Sequence, residues 1–311
     1  MEAWLVYAAG ASVFAALTTI LAKIGIKNVD PNLATAIRTL AVLVFAWLMV
    51  LVAGSLGEAR HLDARTWVFL ALSGLATGGS WLCYFHALKL GDVGKVVPVD
   101  KSSTIMTMLL AFLVLGEPLG GLTVAGMALM GLGTWMMLDF GGPASEPKPE
   151  PKPEPKPGPE SAGRAWLPFA LSAAVFASLT AILGRIGIQN VDANLGTAIR
   201  TAAVVPMSFV MVYVTREKNA GPARPLLAPL GSIDKKSWLF LVLSGAATGA
   251  SWLLFYRALQ LGNAMHVVPI DKLSVAVTML FAGLVLKEKF RPRSVAGLLL
   301  LTAGTLLPIV F

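Results

Sequence analysis

The sequence predicts an all-α membrane protein whose ten transmembrane helices form two inverted five-helix repeats. Three observations carry this prediction: apolar runs that recur from end to end, an internal duplication, and loop charges that switch places between the copies. The chain is 56% hydrophobic and 14% charged, whereas a soluble domain carries about 25% charged residues. Runs of roughly 20 apolar residues are each long enough to cross a bilayer. The net charge of +8 then reads as loop topology rather than nucleic-acid binding, because basic residues in such chains mark cytoplasmic loops.

In the first copy the apolar runs place helices near 3–26, 33–54, 66–90, 95–115 and 121–139. The first is a span and not a cleaved signal: Glu2 precedes it with no Lys or Arg, and a near-duplicate, AWLPFALSAAVFASLTAIL, recurs inside the chain. The second copy repeats the pattern near 165–188, 195–214, 237–261, 266–286 and 294–311. Backbone groups in lipid must be satisfied within the segment, so these runs are helical.

The duplication is direct. ILAKIGIKNVDPNLATAIRT (20–39) returns as ILGRIGIQNVDANLGTAIRT (182–201), LSGLATGGSWLCYFHALKLG (72–91) as LSGAATGASWLLFYRALQLG (243–262), and VVPVDKSS (96–103) as VVPIDKLS (267–274). About half of the aligned positions are identical. The expected organisation is a first repeat over 1–140, a linker over 141–163 and a second repeat over 164–311. The linker, rich in Pro, Lys and Glu, has no residues to form a core and should be extended and solvated.

Five is odd, so sequential copies must cross the membrane in opposite directions. The loop charges agree. In copy one Lys27, Lys89 and Lys95 lie between spans 1–2 and 3–4, while Glu58 and Asp63 balance Arg60 and Arg65 in the 2–3 loop. In copy two the excess moves to loops 7–8 (Arg216, Lys218, Arg224, Lys235, Lys236) and 9–10 (Lys287, Lys289, Arg291, Arg293). These four loops share one side only if the copies are inverted. The positive-inside rule makes that side cytoplasmic, which puts both termini outside and the linker inside.

Charged groups kept in both copies cannot all serve topology, because inversion sends them to opposite sides. They are Lys23/Arg185, Asp30/Asp192, Arg38/Arg200, Asp100/Asp271, Lys101/Lys272 and Glu117/Glu288. Ionisable groups within spans are costly and usually face a bundle interior or a wet cavity. The Asp-Lys pairs, Asp100 with Lys101 and Asp271 with Lys272, sit beside a proline early in the fourth span of each copy. Their plain alternative is an N-cap with a snorkelling lysine; their functional reading is a substrate or proton site flanking a central cavity. Lys23 with Arg185 and Arg38 with Arg200 are either interfacial anchors or cavity cations, and Arg38 lies deeper in its span. Glu117 and Glu288 read as caps of tight turns.

Span 3 carries Ser73, Thr77, Ser80, Trp81 and Tyr84 at helical spacing, with Gly74 and Gly78 as GxxxG; Gly245 and Gly249 repeat that motif. Close packing, with the hydroxyls bonding adjacent helices, explains one face. Trp81, Trp252, Tyr84 and Tyr256 are candidates to line a cavity on another. Cys83 is the only cysteine, so neither an internal disulfide nor a cysteine metal site is available. The scattered histidines offer no metal site, and no nucleophile-elbow, P-loop or HExxH pattern occurs. An enzyme is not expected, and neither is a cofactor.

NVDPNLATAIRT, SGLATGGSW, VVPVDKSS and the LGE ending the fourth span, each with its twin, together resemble the EamA-type unit of the drug/metabolite transporter superfamily. The five-span bacterial/archaeal transporter group is especially similar, and the match covers nearly the whole chain outside the linker. The resemblance implies ten helices, a central substrate cavity and export of small metabolites such as amino acids. Two departures stand out. The related small multidrug resistance proteins carry a cation- and proton-binding glutamate where this chain has Ala15 and Ala177, which argues against cationic drug export by that route. Ten-span relatives commonly keep both termini in the cytoplasm, whereas the loop charges here favour the reverse.

The expected function is secondary transport of a small polar metabolite by alternating access in the plasma (inner) membrane. The cations Lys23, Arg38, Lys101 and their twins outnumber Asp100 and Asp271, which favours an anionic or zwitterionic substrate. The expected partners are the lipid bilayer and a small-molecule substrate, with protons as a candidate coupling ion and no nucleic acid. The chain is expected to work as a monomer, because it already contains both inverted units. The rival readings are a flippase of a lipid-linked headgroup, which a lateral opening would favour, and a non-transporting membrane scaffold, which has no use for twinned intramembrane charges.

Overall fold

The computed structural model describes residues 2–26, 29–90, 96, 99–100, 102–137, 165–215, 231, 233–285 and 292–310. The first copy forms α1 (Ala3–Gly25), α2 (Pro31–Ala53), a short 3-10 segment (Ser55–His61), α3 (Ala64–Leu90), α4 (Ser103–Leu115) and α5 (Gly121–Met137). The second forms α6 (Trp166–Gly187), α7 (Ala193–Thr215), α8 (Lys235–Leu261), α9 (Ala264–Asp271), α10 (Ser274–Val285) and α11 (Pro292–Val310). There is no strand among the described residues. Eight stretches are long and apolar enough to cross a membrane, with α9 and the start of α10 counting as one crossing; α4 and α5 are shorter apolar helices. Together they make the ten expected spans. The linker lies outside the described residues, as do Lys101, Glu288 and most of the charges of loops 7–8 and 9–10.

Aspartates start the helices. The Asp30 carboxylate accepts from the backbone of Asn32 and Leu33 at 3.0 and 2.9 Å, with Pro31 at the first helical position, where its missing N–H costs nothing. Asp192 does the same for Asn194 and Leu195 at the head of α7. Asp63 accepts from Thr66 ahead of α3, and Asp234 from Ser237 ahead of α8. Gly54 ends α2 at φ 70°, a left-handed conformation that suits glycine.

The fourth spans depart from expectation. In place of continuous helices over 95–115 and 266–286, the second copy breaks at the Asp-Lys pair: α9 closes on Asp271, and the Lys272 N–H bonds back to Pro269 O at 2.9 Å. In the first copy residues 99–100 are helical and α4 begins again at Ser103, with Ser102 as its N-cap. Each break lies just beyond a proline; α9 runs through Pro269 and ends at Asp271, so the missing N–H and the crowding of the preceding turn weaken the ladder without by themselves stopping it. Asp100 and Asp271 therefore stand at the break and do not cap a helix that starts after the proline.

The copies pack across each other. Ser73 Oγ donates to Thr180 O and Ser80 Oγ to Ala173 O, so α3 and α6 run antiparallel. The twin set joins α8 to α1: Ser244 Oγ to Thr18 O and Ser251 Oγ to Ala11 O. The two fifth spans, α5 and α11, also meet head to tail: a Cβ on Gly126 would lie 2.5 Å from Gly304 O, and one on Gly133 2.6 Å from Gly297 O. Span 3 of each copy thus runs antiparallel to span 1 of the other, and the two fifth spans run antiparallel to each other, which is the inversion itself. Small residues permit this approach where lipid gives no hydrophobic push. Ala11, Ala16, Ala34 and Ala36 are fully buried, while Val44, Leu113 and Leu299 point outward.

Candidate functional site

Described residues of the two copies line two adjoining chambers, of about 560 and 280 Å³, open to a similar degree. Both touch Ala15, Ala177, Ser103, Ser251, Trp252 and Lys272. Alanines at 15 and 177 leave the central wall without an acid at the positions singled out by the family comparison. The larger chamber adds Arg38, Trp81, Tyr84 and Asp100; the smaller adds Arg200, Tyr256 and Asp271. Each therefore holds one arginine of the twinned pair, with Lys272 common to both.

The fold brings these side chains together for local reasons. Arg38 and Arg200 lie about two turns into α2 and α7, carried there by the aspartate caps. Trp81 and Trp252 lie on α3 and α8 just beyond the hydroxyls that bond the neighbouring helix. The breaks in the fourth spans put Asp100, Asp271 and Lys272 on the cavity wall. Lys272 Nζ lies 3.5 Å from its neighbour's carboxylate, and both side chains are partly exposed. Discontinuous helices near the midplane are where inverted-repeat carriers hold substrates and ions.

The two arginines differ sharply. Arg200 is only 3% exposed. Its Nε donates to Ser73 Oγ at 3.1 Å and its Nη2 to Thr77 Oγ1 at 2.7 Å. The guanidinium lies over Trp252 and Tyr256, 4.6 and 5.2 Å from the ring centres. Among the described residues Arg38, the twin, makes one long hydrogen bond, Nη2 to Thr248 Oγ1 at 3.3 Å. Its buried Nε has no partner among the described residues, and neither has the Nη1 of Arg200. A buried donor left unpaired costs about 1–3 kcal/mol.

Several sequence candidates stand elsewhere. Arg185 is half-buried at the end of α6, where it interacts electrostatically with Glu117, and it lines neither chamber. Lys23 lies on α1, but its side chain is outside the described residues, as is Lys101. Tyr84 and Tyr256 both line the cavity but are not twins: the register of the repeat sets Tyr84 against Phe255 and Phe85 against Tyr256. Glu117 does cap, but not a local turn. Its carboxylate accepts from the N–H groups of Ala264 and Met265 at 2.8 and 2.7 Å, and so caps α9 of the other copy. Sequence reasoning overlooked Thr18 and Thr180, whose main chains receive the α8 and α3 hydroxyls. Their signal was available, since both threonines sit at the same place in the repeat.

The comparisons with known proteins agree with this architecture. The EamA-like transporter family matches residues 2–139 and again 164–310. A protein from a Sinorhizobium species, described as an uncharacterized transporter in the cobO 3' region, is 41% identical over 139 residues. That match covers 45% of this chain and 99% of the relative, which is therefore about one repeat long. A solved crystal structure superposes with a TM-score of 0.73 at 19% identity, covering 100% of this chain and 98% of the other; it shows the shared fold.

Proposed function

This chain belongs to the EamA-like transporter family, and from that membership we propose that it is a secondary transporter exporting a small anionic or zwitterionic metabolite, such as an amino acid or organic acid, by alternating access. The observation that carries the reading is the pair of chambers between the inverted repeats, each with an arginine and Lys272 set against one carboxylate. Two cations against one acid favour a guest that brings one negative charge. The larger volume falls within the usual range for small-molecule sites, about 300–1,000 Å³.

The substrate-contacting residues in this proposal are Arg38, Arg200, Asp100, Asp271, Lys272, Trp81, Trp252, Tyr84 and Tyr256, with Lys101 beside Asp100 in sequence. Lys23 and Arg185 act as anchors nearer the membrane surface. The protein works as a monomer in the plasma (inner) membrane, as a carrier and not an enzyme, and protons serve as the coupling ion. Proteoliposome uptake over amino acids and organic acids, with and without a proton gradient, tests this. Accumulation of at least one carboxylate-bearing solute is expected. Movement of lipid-linked headgroups with no solute uptake would instead establish the flippase.

A further inference from the structure

We propose that Arg38 and Arg200 alternate between two jobs, one guanidinium anchoring a carboxylate in the wider chamber while its twin holds the other chamber narrow. The anchoring half rests on the transport reading above; the latching half stands on geometry alone. The latch is visible at Arg200. Ser73 and Thr77 of α3 take its Nε and Nη2, and Trp252 and Tyr256 cover its face. These contacts tie α7 to α3 and α8 around the smaller chamber. Hydrogen bonds from a charged donor are roughly twice as strong as neutral ones, so their loss would release those helices.

The mirror latch is present but undone. Twins of Ser73 and Thr77 are Ser244 and Thr248. Ser73 Oγ donates to Thr180 O while accepting from Arg200, and Ser244 Oγ donates to Thr18 O in the same manner. No donor among the described residues reaches the Ser244 oxygen, and Arg38 holds only Thr248, at 3.3 Å. The Nε of Arg38 lacks the serine that its twin uses. The chamber beside this undone latch is about 560 Å³, against 280 Å³ beside the closed one.

Inverted repeats built from near-identical parts can exchange conformations, which turns each half's arrangement into the other's. The exchanged state has Arg38 seated on Ser244 and Thr248, and Arg200 released into an enlarged chamber. A planar carboxylate matches the Nε–Nη edge of a released guanidinium. The ligand is thus a small carboxylic acid or amino acid that takes the place of the serine acceptor. Latch and substrate compete for the same donors, so the arginine that holds substrate cannot also hold its own chamber narrow.

The test uses the full chain in lipid nanodiscs, in a Cys83→Ser background, with a water-soluble maleimide and two reporters. Thr39→Cys reads the larger chamber and Thr107→Cys the smaller. Thr77→Val should break the Arg200 latch, slowing labelling at 39 and speeding it at 107 by about tenfold or more, the worth of one charged hydrogen bond. Thr248→Val should do the opposite. Changes of the same sign at both reporters, or no change in either variant, would show that the arginines are static struts. For the anchor, the probes are a mixture of the protein amino acids, together with lactate, succinate and benzoate, each set against its amides. Carboxylates alone should slow labelling at 39, and Arg38→Lys should weaken that protection while keeping the charge. Protection absent in the parent, or unchanged by Arg38→Lys, would remove the anchor while leaving the latch. Opposite-signed reporter changes in a protein that moves no solute would sink the transport reading and keep the latch.

Discussion

A carboxylate at the break of a helix is held by less backbone than one on a continuous turn, and Asp100 and Asp271 both occupy such breaks. Asp271 has Lys272 at 3.5 Å, and each aspartate faces a different chamber. Asp→Asn is nearly isosteric and removes the negative charge. At least one of Asp100→Asn and Asp271→Asn should abolish proton-driven accumulation while leaving substrate exchange measurable in proteoliposomes. The two should be unequal, since Ser102 answers to Leu273 and Lys95 to His266 around them. Wild-type accumulation by both variants would reduce the pairs to structural elements. Duplication made these residues legible: charges that survive at both inverted positions cannot all be serving topology. The difference between Arg38 and Arg200 was not legible, because identical residues in near-identical contexts reveal nothing about which half is narrowed. Tyr84 and Tyr256 are not equivalent either, for a search by residue type slips one position where the repeat pairs Tyr with Phe.

At the scale of the helix, caps and small residues decide position. Hydrogen bonds from the side chain and backbone of Thr66 hold the exposed Asp63 carboxyl below the usual aspartate range, and those from Ser237 do the same for Asp234. A carboxyl whose folded pKa is depressed contributes stability that is fully present above the ordinary aspartate value. That contribution is lost as pH falls through the lowered one. Asn caps almost as well as Asp but does not titrate. Asp63→Asn and Asp234→Asn should therefore match wild-type thermal stability in detergent at pH 7 and show a shallower loss on acidification below about pH 4. An acid limb as steep as the parent's would mean that other carboxylates dominate.

The glycine contacts of α5 with α11 are stricter, because a new Cβ meets backbone there and not a flexible side-chain end. Gly133→Ala and Gly304→Ala should each cost about 1–3 kcal/mol, the usual penalty of overpacking, read as a lowered melting temperature. Gly57→Ala, where a Cβ would meet nothing within 4 Å, serves as the control. Helix positions were readable from the apolar runs because lipid demands an uninterrupted ladder. The break in the fourth span was not, since Pro98 and Pro269 were equally compatible with a late helix start. The reach of Glu117 to α9 was hidden too, because sequence distance carries no information about contacts between copies.

At the scale of the whole molecule, almost every spanning helix leans on the opposite copy: α1 on α8, α3 on α6, α2 on α7 and α5 on α11. Each repeat alone would leave exposed the hydroxyls of Ser73, Ser80, Ser244 and Ser251, which now bond across the interface. The Sinorhizobium relative is about one repeat long, so this chain is comparable to two such units fused in sequence. Its linker, with no large apolar side chains to pack, is expected to act only as a tether that fixes the stoichiometry. A protease site placed between residues 150 and 156 should be cut without consequence. The halves should co-elute as one particle in detergent, and transport should stay within about twofold of the uncut protein, since the cut changes only the effective concentration of two already associated parts. Halves that separate, or activity that vanishes on cutting, would give the linker a role beyond tethering. The same segment reports direction. With both termini outside, a Ser161→Cys reporter in a Cys83→Ser background is cytoplasmic and should resist an impermeant maleimide in intact cells until they are permeabilised. Labelling of intact cells would reverse the orientation and leave the inverted repeat, the chambers and the paired arginines unchanged.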